Sequence, residues 1–581
     1  MVHKISRIAL VTVVVLAVVL TACAPTPAPA PTAAPTQPPA PTQAPVATNT
    51  SVPPTQPPKV KNSVGVELPA DAAPADKQVF RTHGIEGKHF DPTKNIYESS
   101  GMDGYMREPL VWLDGDFNAS PGAAEKWEVS PDGLTWTFYL RKDAKWSDGT
   151  PCKADDWVFT FQRMLSKETA NPYNWFYASI KNAAKYSKGE VPKEELGVAK
   201  VDDWTIRFTT EKRTPYFLMI LGFVATISPK HMIDKLGDEW ASKPETALSN
   251  GPYMVKEWNK GKNVVFVPNP YYNGPAKPKL EKIITVFVPQ DAPPAVPMQM
   301  YKANEIDWLR FETPAGLSQA LADAEIKKDL STFANFVTYY MHFNLKPPFD
   351  NLKVRQAFSH AIDRDAISKS VMQGLEIPAY THLPPGFPCS QADNKEIQAI
   401  QKYDPALAKK LMEEAGYPGG KGFPALELWT RQGQIKTESE AIQRMLKDNL
   451  GIDVTPKDVE RSVYMDKLRA YDIPLGLIQW YYDYVDPTNF MDWWTTQSRH
   501  PWKNEKFNEL VTAAAGELDQ AKRCKMYQDA ERILLEDVAA VFIGHPISGE
   551  VWRSNVAGLQ ATKSGARIHY QRYWTDIYIK K

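Results

Sequence analysis

What most limits how this chain can fold is a break in its composition near residue 60. Between residues 24 and 60 lie thirteen of its 49 prolines, mixed with Thr, Ala and Gln, with no aromatic residue and no charge before Lys59. Such a stretch has no apolar surface to set against the entropy of ordering, so it stays extended, partly as polyproline II. Any folded body must lie C-terminal to it.

On the other side of that stretch, Lys4 and Arg7 precede an apolar run over residues 8–20. The run is too short for a stable membrane-spanning helix and suits the apolar region of a signal peptide. It ends in Leu20-Thr21-Ala22-Cys23, which looks like a bacterial lipobox, whose Cys is acylated and becomes the mature N-terminus. The expected order is a lipoprotein signal peptide (1–22), then the anchor Cys23 with a disordered Pro/Thr-rich stalk (23–76). Acyl chains on Cys23 would tether the protein without a membrane-spanning helix. The plainer alternative is an ordinary signal peptide with an incidental Cys.

A length of 581 residues suggests several domains or one large two-lobed body. Its 68 basic and 68 acidic side chains balance, which gives no electrostatic reason to expect nucleic acid as a partner. Beyond Cys23 only Cys152, Cys389 and Cys524 remain. Three widely spaced cysteines allow at most one disulfide, whose pairing stays open, and match no zinc spacing.

Helix and strand patterns alternate. Strands are expected at 78–84, 126–129 and 134–140, the last two flanking the turn Pro131-Asp132-Gly133, with Trp136, Phe138 and Leu140 on one face. A helix over 154–165 presents Trp157, Phe161 and Met164 on one side, and Asp155 and Asp156 suit the positive end of its dipole. Further helices are expected over 351–371, from Asp404-Pro405 to Gly416, and over 437–450, with strands at 452–455 and 474–480. This is an α/β pattern without a short repeat.

Catalytic signatures are missing. No Gly-x-Ser-x-Gly elbow, Ser-x-x-Lys pair, phosphate loop, His-Glu-x-x-His or dinucleotide fingerprint occurs. The nearest histidines, His83 and His89, are six apart, which suits neither one helix face nor one strand face, so no metal is expected there. Binding, with no cofactor and no catalytic residue, is the expected class of function.

Several segments resemble solute-binding protein family 5, the peptide and nickel binders of ABC importers. They are SPGAAEKWE at 120–128, PDGLTWTFYLRKDAKWSDGTP at 131–151, SNGPYMV at 249–255, FNLKPPFDNLKVRQAFSHAIDRDAI at 343–367 and WYYDYVDPTNF at 480–490. TANPY at 169–173, LGVAKVDD at 196–203 and IPAYTHLPP at 377–385 are similar to its oligopeptide-binding branch. The resemblance runs from about residue 77 to the C-terminus. It implies an α/β, two-lobed periplasmic-binding-protein-like fold of type II. Lobe I would cover 77–335 and 548–581, with a subdomain inserted at about 112–212, and lobe II 336–547. It further implies a monomeric binding protein on the outer face of the cytoplasmic membrane that passes its ligand to an ABC permease.

A binder of many peptides must grip what all peptides share, namely backbone amides, the free amine and the carboxylate. A buried ammonium needs a carboxylate partner. Asp483 matches the family aspartate that pairs with the peptide amine; its plainer reading is a loop Asp or turn cap. Trp480 and Tyr482 would be pocket walls, and Asn250, Gly251 and Tyr173 would line the cleft, with simple packing or turn geometry as the alternative. Two departures stand out: Leu477 occupies the place of an arginine that serves some peptides' carboxylate ends, and Tyr481 that of a disulfide-forming cysteine. An oligosaccharide ligand is the runner-up, since Trp-rich walls also stack on sugar rings.

Overall fold

A computed structural model of the chain describes residues 60–94, 102, 104–114, 117–223, 227–289, 292–431, 435–495, 500–558 and 573–581. They belong to the unit that spans residues 59–581. The expected signal segment, Cys23 and the Pro-rich stretch up to Lys59 lie outside the described residues.

The stalk expected to reach residue 76 ends earlier. From Val60 the chain is packed on the body: Asn62 donates from Nδ2 to the Pro278 carbonyl, Ser63 binds Glu281, and Leu68, Ala72 and Ala73 are buried. Ala72 also bridges to Lys580 near the C-terminus. Proline density alone hid this, because one buried Leu and a few specific hydrogen bonds are enough to order a short segment against a preformed surface.

Among the described residues the strands form three larger sheets and two strand pairs. The first places Val79–Gly84 parallel to Lys282–Phe287, followed by Asn263–Pro268 and Tyr253–Asn259. The second is an antiparallel sheet of Ala124–Val129, Thr135–Leu140, Thr205–Thr209 and Val198–Asp202. Trp136, Phe138 and Leu140 are buried on one face of it, as the alternation predicts, and helix Ala154–Met164 packs Trp157, Phe161 and Met164 into the same core. Asp156 does more there than meet a dipole. Buried, it accepts from Lys153 N, Trp146 Nε1 and Lys230 N, while Asp155 pairs outward with Lys200.

The third sheet is built around Val337–Phe343, buried along its whole length. It pairs antiparallel with Leu475–Tyr481 on one side and with the long strand Ala540–Trp552 on the other. That long strand continues beyond Gly544 to pair with Glu376–Pro378, Ser331–Ala334 and Trp308–Phe311 in turn. Backbone hydrogen bonds therefore run without a break from residues 540–544 to 549–552, across the boundary expected at 547/548.

Two expected elements differ. The single helix expected over 351–371 is three pieces, Leu352–His360, Arg364–Ala366 and a π-turn Ile367–Val371. Asp363 caps Ala366 N, and the buried Arg364 guanidinium takes the carbonyls of Ser359, Ile362, Gln401 and Phe542. Carbonyls that a continuous helix would satisfy internally are thus satisfied by a side chain. The strand expected at 452–455 runs instead over Val454–Val459. Ile452 belongs to the preceding helix end, where Gly451 at φ 71° lets Ile452 N reach the Leu446 carbonyl.

Candidate ligand-binding site

The segment that resembled the ligand site lies where the strand Leu475–Tyr481 leaves its sheet. Pairing of Trp480 with Thr338 and of Tyr481 with Val337 ends the ladder, and residues 482–486 turn into the short helix Pro487–Met491. Pro at the first helical position and Asp486 as cap start that helix, with Asp486 Oδ1 accepting from Thr488 N at 2.9 Å. The same carboxylate is held by both terminal nitrogens of Arg523, each at 2.6 Å, and both side chains are buried. A bidentate, desolvated pair of this kind fixes orientation as well as charge.

Asn489, on this helix, organises the expected site. Its Oδ1 accepts from Asp483 N at 2.9 Å and from Trp480 Nε1 at 3.3 Å, and its Nδ2 donates to Asp483 Oδ2 at 3.2 Å. Asp483 is half-buried and oriented by that amide. Trp480 is half-buried too, its ring 4.6 Å from that of Trp493. The structure thus brings Asp483 and Trp480 together.

The other expected residues are placed differently. Tyr482 sits in an apolar cluster with Phe336, Phe387 and Phe490, and burial pushes its hydroxyl pKa upward. Asn250 exchanges two hydrogen bonds with the backbone of Glu108, Oδ1 accepting at 3.1 Å and Nδ2 donating at 3.0 Å. Gly251 N donates to the Met106 carbonyl, and a Cβ there would stand 2.7 Å from the backbone of Met106 and Arg107. These two residues lock the segments around 106–108 and 249–251 together. Tyr173 is half-buried and stacks on Trp175 at 5.9 Å.

Beside Asp483 and Trp480 opens a cavity of about 200 Å³ lined by residues from two parts of the chain. From the stretch holding the inserted sheet come Trp175, Phe176, Tyr216 and Ile220; from the other come Tyr484, Thr488, Asn489, Asp492 and Trp493. Tyr216 and Tyr484 face each other nearly parallel, centroids 5.4 Å apart. Asp492 itself is exposed at the cavity, and the protein packed around it, then the nearby Asp486, push its pKa upward, an effect that water reaching the carboxylate moderates. Sequence reading missed Asn489, Asp492, Trp493, Tyr216 and Arg523. Asn489 lies inside the quoted motif, and the run Asp492-Trp493-Trp494, one residue beyond it, was the available signal; Tyr216 and Arg523 carried none.

The cysteine pairing left open is Cys389 with Cys524, and Cys152 is buried and free. The bridge ties the loop after Leu383 to helix Gln520–Glu536, which carries Arg523. From the same helix, Glu531 accepts from His382 N, Leu383 N and Gln391 Nε2. Among the described residues no group of three His, Cys, Asp or Glu could hold a metal ion, and no helix is long and apolar enough to cross a membrane.

Residues 118–502 match the profile described as bacterial extracellular solute-binding proteins, family 5 Middle. The chain is 30% identical over 507 residues to the periplasmic oligopeptide-binding protein OppA of Salmonella typhimurium, covering 85% of this chain and 92% of that one. It is 31% identical over 531 residues to the probable deoxycholate-binding periplasmic protein YgiS of Escherichia coli, covering 88% and 96%. The unliganded open form of the periplasmic murein tripeptide binding protein MppA superimposes with a TM-score of 0.74 at 27% identity, over 88% of this chain and 99% of that one. With its two-lobed α/β fold, the chain belongs to family 5 of the bacterial extracellular solute-binding proteins, in the oligopeptide branch, and is a transport binding protein rather than an enzyme.

Proposed function

We propose that this protein is the lipid-anchored substrate-binding subunit of an ABC importer, capturing oligopeptides outside the cytoplasmic membrane and delivering them to the permease. The observation that carries the peptide reading is Asp483: a half-buried carboxylate at a strand end, oriented by Asn489 and flanked by the Trp480 ring. Such a group suits the one positive charge every unblocked peptide shares, and an unpaired ammonium in a closed cleft would be very costly. The name of the Salmonella relative supports the same ligand class.

In this reading the lobes are residues 60–335 with 548–581, and 336–547, and they close on the ligand. Ser331–Ala334 and the long strand Ala540–Trp552 form the connection about which they move. Asn250 and Gly251 then act by holding the cleft wall in shape rather than by touching the peptide. Acylated Cys23 is the anchor, and a Cys23→Ser protein with its signal segment removed is released from membranes; retention there refutes the anchor.

The test of the ligand class is a thermodynamic cycle. A tight peptide is first selected from a mixed pool by native mass spectrometry. Asp483→Asn, which keeps shape but strands the ammonium, weakens it by roughly 2–5 kcal/mol, and N-acetylation of the peptide costs a similar amount. Both together cost less than the sum, because each removes the same interaction. If Asp483→Asn binds free and acetylated peptides as the parent does, Asp483 is only a loop residue. If no peptide binds but a β-linked oligosaccharide does, the aromatic walls serve sugars instead.

A further inference from the structure

We infer that the cavity beside Asp483 is a subsite for one cationic side chain of the bound peptide, with Asp492 as its counter-ion and aromatic rings as its walls. This rests on the peptide reading above and adds a side-chain preference to it. At about 200 Å³, the cavity holds roughly six waters at ~30 Å³ each. That is short of the roughly 300 Å³ at which pockets for whole small ligands begin, so it fits one extended side chain.

The carboxylates at and beside the cavity differ in what holds them. Asp486 is neutralised by the bidentate contact from Arg523, and Asp483 is held by the Asn489 amide. The carboxylate of Asp492 accepts no hydrogen bond and makes no ion pair among the described residues, although it is open to the cavity's water. The charges acting on it are Asp486, which holds its proton on, and Lys212 and Arg523, which favour the anion. Asp486 already occupies Arg523, and Lys212 is exposed and within ion-pair distance of no acid among the described residues.

The walls suit the same guest. Trp175, Tyr216, Tyr484 and Trp493 line the cavity, Tyr216 and Tyr484 as a stacked pair, and an ammonium or guanidinium is attracted to aromatic rings as well as to a carboxylate. An apolar side chain would fill the same space but would desolvate Asp492 without replacing its water, which is unfavourable for a polar group.

The experiment uses the peptide whose binding depends on Asp483, remade with Lys, Arg or norleucine at each position in turn. In wild type, at pH 7.5, one position prefers Lys or Arg over norleucine by roughly 10- to 100-fold, the range expected for a cation between a carboxylate and aromatic faces. In Asp492→Asn that preference falls to within about threefold, while the norleucine peptide keeps its affinity within the same margin. A preference that is absent at every position, or that survives in Asp492→Asn, overturns the inference while leaving Asp483 and the peptide reading intact. Should no peptide bind, the n-butylammonium cation is the probe, followed by saturation-transfer NMR. Transfer in wild type that disappears in Asp492→Asn supports the subsite, and transfer absent from wild type or equal in both refutes it.

Discussion

Replacing Asp486 with asparagine is expected to be among the most damaging single substitutions near the site, and the reason is charge rather than shape. Asparagine caps helices as well as aspartate does, so Thr488 N keeps its acceptor and the helix Pro487–Met491 keeps its start. What changes is the partner of Arg523, whose two terminal nitrogens each lie 2.6 Å from an Asp486 oxygen. An amide offers one acceptor and one donor, so one guanidinium N–H faces another donor and the buried cation loses its counter-charge. Arg523 and Asp486 side chains are only 4% and 8% exposed, so water cannot compensate. Breaking one side of such a pair costs about 3–5 kcal/mol. Arg523→Met, which strands the acid instead, costs a similar amount, and the double variant falls about 2–3 kcal/mol short of the sum because each single change already removes the pair. Urea unfolding of the mature chain, followed by far-ultraviolet dichroism and tryptophan fluorescence with coincident transitions, measures all three. A loss below about 1 kcal/mol for Asp486→Asn, the range of exposed ion pairs, refutes the desolvated pair as described. Additive single losses refute the coupling.

The disulfide should also be measurable: Cys389 and Cys524 are separated by 135 residues, and closing such a loop in the unfolded chain is worth up to about 5 kcal/mol. Cys389→Ser with Cys524→Ser should lower stability by about 2–5 kcal/mol and abolish the effect of dithiothreitol. An unchanged urea midpoint, or an undiminished response to reductant, contradicts this. His545 predicts acid sensitivity. Burial lowers its pKa to about 4 while Nδ1 contacts the Val337 carbonyl, so the neutral ring stabilises the fold above the unfolded value of about 6.5. That contribution is lost as pH falls through this window, about 3 kcal/mol by pH 4. Burial raises Glu531 to about 7, which has the opposite sign and favours the fold as pH falls. The diagnostic is therefore the difference in pH dependence between wild type and His545→Gln; parallel curves between pH 7 and 4 sink the assignment.

Much of this protein was legible in the chain itself, wherever a local pattern has a single physical solution. The alternation over Trp136, Phe138 and Leu140 could only be a half-buried strand, and Asp404-Pro405 ahead of an apolar stripe could only open a helix, which runs over Pro405–Glu414 with Asp404 capping Leu407 N. The ordered motifs placed Asp483 and Trp480 at one strand end because that stretch of chain is nearly contiguous. Only the tertiary structure decided what lies across the cavity from them. Tyr216 meets Tyr484, and Arg523 meets Asp486, across 268 and 37 residues of chain respectively, and no local pattern carries such distances. Asn250 and Gly251 looked like cleft residues, yet their side-chain and backbone groups are engaged with residues 106–108, some 140 positions earlier. Local sequence sets which face of an element is apolar and where the element stops. Which polar group meets which, and so which carboxylate is left facing an open cavity, depends on how separately folded layers pack together.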